Sequence, residues 1–167
     1  MDVYDCDSAA KQIMVKSKHV ISELKNLIGD KAYVDGQINK SCISSFILVS
    51  KENAEKVNNI VHPAVARDFV NSGLNFMECA ILFSSGFDKL VDRVVCVTAP
   101  LEVRINRIIK RDSISGEKAK EWIDCQMSQE QIVSLSDFVI ENNDDNTVDE
   151  QVDRLLCWLK NEDKKNI

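Results

Sequence analysis

Short apolar runs alternate with helix-like segments along this chain, and this alternation limits its possible folds more than any other feature. Residues 2–5 read as the end of a strand, and strand-like runs recur at 76–83, 93–99 and 137–142. Segments with helical spacing of apolar residues separate these runs. Parallel strands need long crossover connections, so the alternation predicts an α/β fold whose parallel sheet is covered by helices on both faces. A length of 167 residues predicts a single domain.

The helical segments are predicted from periodicity and from capping residues. They span residues 7–27, 41–49, 52–71, 100–111, 116–132 and 147–160. Asp7 or Ser8 is the expected N-cap of the first helix, and Gly29 suits its C-terminal end. Pro63 is expected to interrupt the third helix, because proline lacks the backbone N–H. Residues 29–40 are predicted to form a polar loop.

Charge and hydropathy exclude several classes of function. The formal net charge is −6 and the pI is about 5.0, whereas nucleic-acid binding needs a basic surface, so no nucleic-acid partner is expected. No apolar run approaches the ~18 residues of a membrane span, and the N-terminus has no apolar signal-peptide core, so no membrane association is expected. The sequence leads to no prediction of oligomeric state.

Six cysteines are present, and none belongs to a C-x-x-C pair. Disulfides are rare in reducing compartments, and free cysteine is often buried. The cysteines are therefore expected to be buried, reduced thiols of a cytoplasmic protein.

Asp5 and Asp7 lie where the first strand meets the first helix. Ligands of open α/β sheets bind at the carboxyl ends of the strands. A carboxylate there can accept a proton from an attacking hydroxyl or bind magnesium through water. The alternative, which spacing alone favours, is that Asp7 caps the helix and Asp5 is solvated.

Arg104, Arg107 and Arg111 are spaced i, i+3 and i+7, which places them on one helix face. Three guanidinium groups on one face suit a polyphosphate, because each can donate paired hydrogen bonds to phosphate oxygens. The alternative is a solvated basic face paired with Asp112 or Glu102.

Two further polar residues stand in apolar or helical surroundings. His62 is one of only two histidines, so a histidine-based metal site is not expected, and a capping or core role is favoured on spacing alone. Glu78 lies within a strand-like apolar run, where a buried carboxylate needs a partner or a function. It is equally compatible with a partnered structural carboxylate and with a phosphate-linked role at the strand end.

A series of short motifs, in order along nearly the whole chain, resembles the dephospho-coenzyme A kinase family. They are V-Y-D-C-D-S-A-A-K, G-Q-I-N-K, I-V-H-P, A-I-L-F-S-S-G-F, D-R-V-V-C-V-T-A-P, R-I-N-R-I-I-K-R-D and V-I-E-N. The resemblance implies a P-loop NTPase-like three-layer α/β/α fold with a parallel sheet. It also implies a helical CoA-binding region at about residues 30–72 and a lid at about 111–126.

The resemblance implies transfer of the γ-phosphate of ATP, bound with Mg²⁺, to the ribose 3′-hydroxyl of dephospho-CoA, the last step of coenzyme A synthesis. Asp7 is similar to the base that accepts the hydroxyl proton, with Asp5 beside it. His62 corresponds to the helical substrate-binding region, which Asn39 and Lys40 precede. ATP and dephospho-CoA are the implied small-molecule partners.

The same resemblance implies the residues of the ATP side. Arg107 and Arg111, with Arg104 on the same face, are similar to the phosphate-binding face that leads into the lid. Asn142 lies where the loop of the family surrounds the ATP adenine. Lid arginines would neutralise phosphate charge and exclude water on closing.

The sequence departs from the family pattern at several places. The 167 residues contain no G-x-x-x-x-G-K-[ST] phosphate loop, so the sequence is expected to begin at the second strand of the family and to be truncated at its N-terminus. Loss of that loop and strand would expose strand edges, weaken ATP binding and leave transfer undetectable. Ser84 stands where the family usually has glutamate, and Asp144 where glycine often follows the adenine-loop asparagine.

Two other functions stay open at this stage. The chain could be a non-catalytic remnant that binds dephospho-CoA, CoA or a protein partner, which the missing loop, Ser84 and Asp144 favour. A different nucleotide or nucleoside kinase is less compatible with the ordered motif series.

Overall fold

The computed structural model describes residues 2–143 and 147–163, with the side chains of these residues up to 161. The chain divides into two compact units, residues 1–90 and 91–167. Each unit contains one pair of parallel strands. Within the described ranges, no helix combines the length and the apolar character needed to cross a membrane.

The first unit is mostly helical around two small strand pairs. Its elements are β1 (Tyr4–Asp5), α1 (Cys6–Lys16), α2 (Lys18–Ile28), β2 (Tyr33–Val34), β3 (Gln37–Ile38), α3 (Lys40–Val49), α4 (Lys51–Ser72), β4 (Met77–Glu78) and α5 (Leu82–Ser85), with 3₁₀ turns at Asp30–Ala32 and Phe87–Leu90. β1 pairs in parallel with β4, so that Tyr4 lies opposite Met77 and Asp5 opposite Glu78. β2 and β3 form an antiparallel hairpin.

The second unit combines a longer parallel pair with four helices in its described part. Its elements are β5 (Val95–Thr98), α6 (Leu101–Asp112), α7 (Gly116–Asp124), α8 (Gln129–Ser134), β6 (Phe138–Glu141) and α9 (Val148–Asp163). Val95 lies opposite Phe138, and the register continues to Thr98 and Glu141. Parallel strands joined through helices confirm the α/β prediction in both units.

The predicted first helix, 7–27, is wrong as a single element, because it is two helices that meet at Ser17. Ser17 is extended (φ −77°, ψ 109°), and its hydroxyl accepts a hydrogen bond from the Val20 N–H. The N-cap of α1 is Asp5 rather than Asp7 or Ser8. Serine and aspartate favour these ends because their side-chain oxygens satisfy N–H groups that have no partner inside the helix.

The predicted loop over residues 29–40 contains a hairpin instead. Asp35 and Gly36 both adopt positive φ, 50° and 75°, between β2 and β3. Two consecutive positive φ values are the requirement of the tight type I′ turn, which aspartate followed by glycine meets well. The Asp-Gly pair was therefore the signal that the loop prediction missed.

Three other boundary predictions are also wrong. Pro63 lies inside the continuous helix α4, whose buried residues Val57, Val61, Val65 and Phe69 extend on both sides of it. The predicted helix 116–132 is divided into α7 and α8, because Ser128 and Gln131 form a capping box that starts a new helix. The predicted strand 76–83 is extended only at Met77–Glu78 before the chain turns into α5.

The cysteines differ in burial from the sequence expectation. Cys6 and Cys96 are buried and Cys42 and Cys79 are half-buried, but Cys125 and Cys157 are exposed. The expectation of buried thiols is therefore wrong for the last two: Cys125 is the C-cap of α7, and Cys157 lies on an exposed position of α9.

The core of the first unit fixes β1 against α4. The buried Tyr4 hydroxyl donates a hydrogen bond to Asp68 Oδ2 at 2.8 Å and to the Val65 carbonyl at 3.3 Å. The Tyr4 ring also meets the Phe69 ring edge-on at 5.3 Å. Burial first, and then the Asp68 carboxylate, raise the pKa of Tyr4 well above its usual range, so the phenol remains a hydrogen-bond donor.

Leu24 tests the packing of α2 into this core. Leu24→Ala is expected to lower the free energy of unfolding by about 2–5 kcal/mol, because truncation of a buried leucine leaves a cavity. Leu24 is 0% exposed, whereas Leu48 at the end of α3 is 83% exposed. Leu48→Ala is the matched control and should change that free energy by less than about 0.5 kcal/mol. Urea denaturation measures both, and equal losses would contradict the assignment of Leu24 to the core.

Candidate functional site

Three carboxylates gather at the carboxyl ends of β1 and β4. Asp5 and Glu78 are register partners, and Asp7 lies in the first turn of α1. Glu78 is exposed at the strand end, so the expectation of a buried strand position for it is wrong. Partial loss of solvent around its carboxylate raises its pKa, and the negative charges of Asp5 and Asp7 raise it further. The cluster is therefore an acidic site that favours a proton or a cationic partner.

Asp5 and Asp7 have different roles in this cluster. The Asp5 carboxylate accepts hydrogen bonds from the Ser8 N–H at 2.8 Å and the Ser8 hydroxyl at 2.7 Å. These bonds lower the pKa of Asp5. Asp7 is exposed in the first turn of α1. The alternative is therefore wrong in making Asp7 the cap, while Asp5 is exposed to solvent as it proposed. A catalytic role stays a prediction for both residues.

The second feature of the first unit is a groove beside His62. It has a volume of about 350 Å³, and its lining includes Asn58, His62 and Pro63 of α4 together with Ser84 and Phe87. The His62 ring meets Phe87 edge-on at 5.6 Å. Burial lowers the pKa of His62, so its imidazole is held neutral and can donate or accept a hydrogen bond.

Asn39 and Lys40 lie at the start of α3. The Asn39 side chain accepts a hydrogen bond from the Cys42 N–H at 3.1 Å and donates one to the Lys31 carbonyl at 3.0 Å. It is thus the N-cap of α3, which fixes where this helix begins. Lys40 is exposed on the first turn. A substrate-binding role stays a prediction for both residues.

The second unit joins two residues that the sequence analysis selected separately. Arg107 Nη2 donates a hydrogen bond to Asn142 Oδ1 at 3.3 Å, across 35 positions of sequence. This contact links the face of α6 to the segment that follows β6. Asn142 is also held by its backbone N–H, which donates to the Thr98 carbonyl at 2.7 Å. Asp144 lies outside the described residues.

The other two arginines of α6 differ from the expected shared face. Arg111 is exposed and donates to Asp112 Oδ2 from Nε at 2.9 Å and from Nη2 at 2.7 Å, which is the pairing proposed as the alternative. Arg104 is half-buried, and its Nε is buried without a hydrogen-bond partner in the described part of the chain. No group of three metal-binding side chains is found among the described residues.

Gln151 is a structural determinant of this second site that the sequence analysis missed. Its side chain accepts from the Glu141 N–H at 2.8 Å and donates to the Glu141 carbonyl at 2.8 Å and the Thr147 carbonyl at 3.4 Å. The buried amide therefore joins the two ends of the segment that contains Asn142. A glutamine within an amphipathic helix was the available signal, but spacing does not distinguish a buried amide from an exposed one.

The pH dependence of stability tests the burial of His62. Its pKa is lowered from 6.5 in the folded chain, so its contribution to the free energy of unfolding is present above pH 6.5 and lost as the pH falls through the folded-state pKa. His62→Gln should flatten this part of the pH profile measured by urea denaturation. His19→Gln, at the exposed histidine, is the control and should keep it. An unchanged profile in the His62 variant would contradict its burial.

Gln151→Leu tests the brace, meaning the hydrogen bonds that the Gln151 side chain makes with Glu141 and Thr147. It is expected to lower the free energy of unfolding by about 1–3 kcal/mol, since Glu141 loses both backbone partners with little change of side-chain volume. Hydrogen exchange at the Glu141 amide should become faster. Gln126→Leu, at an exposed glutamine, should change stability by less than about 0.5 kcal/mol. Unaltered exchange at Glu141 would show that the brace does not hold this strand end.

Comparison with known proteins relates this chain to one family. A family model described as dephospho-CoA kinase matches residues 1–149. A Bacteroides fragilis dephospho-CoA kinase is 33% identical over 164 residues, which cover 94% of this chain and 80% of the relative. A Fusobacterium nucleatum dephospho-CoA kinase is 36% identical over 150 residues, 84% of this chain and 76% of the relative.

Solved structures show the same fold. A crystal structure from Thermus thermophilus superposes with a TM-score of 0.76 at 26% identity and covers 96% of this chain and 83% of its own. A Campylobacter jejuni dephospho-CoA kinase superposes with a TM-score of 0.62 at 21% identity, covering 100% of this chain and 87% of its own, which shows fold likeness alone. The match over most of the chain, the identities of the relatives and the predicted motif series agree, and this chain belongs to the dephospho-CoA kinase family.

Proposed function

We propose that the residues of this chain serve ATP-dependent phosphorylation of the ribose 3′-hydroxyl of dephospho-CoA. The observation that carries the proposal is the exposed Asp7 carboxylate at the carboxyl ends of the paired strands β1 and β4. The neighbouring capped Asp5 fixes the start of α1 and hence the position of Asp7. A carboxylate held on rigid elements can accept the hydroxyl proton as the phosphoryl group is transferred.

We assign the acceptor substrate to the helical region at about residues 30–72. The His62 groove supports this assignment, because it combines an apolar wall at Phe87 with the hydrogen-bonding groups of Asn58 and a neutral imidazole. Such a mixture of apolar and polar surface suits a nucleotide with a pantetheine arm. Exposed Lys40 would supply a positive charge for the diphosphate, and Asn39 would position it as the helix cap.

We assign the ATP substrate, with its Mg²⁺, to the second unit. The Arg107–Asn142 hydrogen bond supports this assignment, since it couples a phosphate-binding guanidinium to the segment assigned to the adenine. Arg104 and Arg111 lie on the same helix, and Arg111 directly precedes the segment at about 111–126 assigned as the lid. Guanidinium groups bind phosphate oxygens through paired hydrogen bonds and neutralise the charge of the transferred group.

Preference for dephospho-CoA over CoA tests the acceptor site without ATP. The Asp7 carboxylate would repel the 3′-phosphate of CoA, so the chain should bind dephospho-CoA more tightly. Asp7→Asn should reduce this preference roughly three- to fivefold, as expected for one exposed charge. Isothermal titration calorimetry with both ligands measures the ratio.

Glu23→Gln, at an exposed carboxylate of α2, is the matched control and should leave the preference unchanged. A preference that is equally large in the Asp7→Asn variant would remove Asp7 from the acceptor site. Absence of dephospho-CoA binding by the unaltered chain would overturn the acceptor assignment itself.

The polypeptide of residues 1–167 is expected to bind the acceptor without transferring phosphate by itself. These residues contain no G-x-x-x-x-G-K-[ST] segment, whose backbone N–H groups and lysine hold the β- and γ-phosphates in P-loop kinases. A coupled assay with ATP, Mg²⁺ and dephospho-CoA should therefore give no turnover above background. Turnover of about 1–100 s⁻¹, the ordinary range of kinases, would contradict this expectation.

A further inference from the structure

Two cysteine thiols meet at the strand ends that carry the acidic cluster. Cys6 follows Asp5 and Cys79 follows Glu78, and Asp5 and Glu78 are register partners in the parallel pair. The Cys6 thiol is hydrogen-bonded to Cys79. Both thiols are free. The pairing of β1 with β4 therefore brings together two sulfur atoms that are 73 positions apart in sequence.

The register of β1 with β4 favours a short separation between the two residues. Neighbouring strands of a sheet lie about 4.8 Å apart, which is within the roughly 4.4–6.8 Å range of Cα separations that disulfides span. Cys6 and Cys79 are one residue beyond the last register pair of β1 and β4. A disulfide between them would join two residues that directly follow this register pair.

The two thiols differ in their access to solvent. Cys6 is buried at 4% exposure, whereas Cys79 is half-buried and can be reached by a small reagent. Burial first, and then the charge and hydrogen bond of Cys79, raise the pKa of Cys6 to about 12, and the charges of Glu78 and Asp7 add to the shift. Cys6 therefore keeps its proton and donates it towards Cys79, which is the sulfur that meets an oxidant first.

We propose that Cys6 and Cys79 form an oxidation site at which a hydroperoxide converts the dithiol into an intrachain disulfide. The Cys79 sulfur attacks one peroxide oxygen, the O–O bond breaks, and the thiol proton passes to the departing oxygen. The products are a Cys79 sulfenic acid and, with hydrogen peroxide, one water. The Cys6 sulfur then attacks the sulfenic sulfur and loses its proton, and the S–O bond breaks to release a second water. Two thiols are oxidised by two electrons, and one peroxide is reduced.

The disulfide would tie the first residue of α1 to the residue that follows β4. Asp7 and Glu78 are the bonded neighbours of Cys6 and Cys79, so the bond would restrain the acidic cluster directly. The inference does not depend on the proposed function, because it concerns the state of the thiols alone.

Peptide mapping of the oxidised full chain tests the proposal. The folded chain of residues 1–167 is treated with hydrogen peroxide, its remaining thiols are alkylated, and peptides are identified by mass spectrometry before and after reduction with dithiothreitol. The expected result is a reducible link between the Cys6 and Cys79 peptides. Cys42 is the internal comparison, since it is half-buried like Cys79, and it should stay alkylatable at least tenfold longer than Cys6 and Cys79.

Three variants separate this route from general oxidation. Cys6→Ser should leave Cys79 as a sulfenic acid that dimedone traps, and Cys79→Ser should leave Cys6 reduced at the same peroxide dose. Cys125→Ser, at an exposed cysteine, is the matched control and should keep the Cys6–Cys79 link. Separate alkylation of Cys6 and Cys79 while Cys125 and Cys157 oxidise would overturn the proposal, as would links of either residue to another cysteine.

Discussion

The buried Tyr4 hydroxyl donates a hydrogen bond to Asp68, and this bond fixes β1 against α4 beside the acidic cluster. Because successive residues of a strand point to opposite sides, fixing Tyr4 against α4 turns Asp5 outward, where it caps α1. This cap fixes where α1 begins and therefore where Asp7 lies in its first turn. A buried phenol, whose pKa is raised by burial and by Asp68, thus determines the position of a carboxylate three residues away.

Two carboxylates of the acidic cluster, Asp5 and Glu78, have surroundings that shift their pKa values in opposite directions. The Ser8 N–H and hydroxyl stabilise the Asp5 carboxylate and lower its pKa. Burial raises the pKa of Glu78, and the charges of its two neighbouring carboxylates, Asp5 and Asp7, raise it further. The same crowding acts on Cys6, whose thiol is also disfavoured as an anion. A site of this kind attracts protons and cations, which fits a role in accepting a proton from a hydroxyl.

The second unit fixes the end of β6 through hydrogen bonds to its backbone. Gln151 satisfies both backbone groups of Glu141, and Thr98 accepts from the Asn142 N–H, so the end of β6 is held from two sides. Arg107 then reaches an asparagine whose backbone is already fixed. Pre-organisation of this kind lowers the entropy that a ligand would have to remove on binding.

The sequence by itself determined the α/β class, the α3 and α4 segments, the valine-rich β5 and the family, because these depend on periodicity and ordered motifs that are local along the chain. Only the tertiary structure decided that Asp5 rather than Asp7 is the cap, that Pro63 lies in an unbroken helix, that Glu78 is exposed, and that Gln151 braces the segment containing Asn142. Each of these depends on partners that are brought together by packing or on the conformation of neighbouring residues, which spacing does not encode. The meeting of Cys6 and Cys79 has the same origin, since the register of β1 with β4 sets which residues become neighbours.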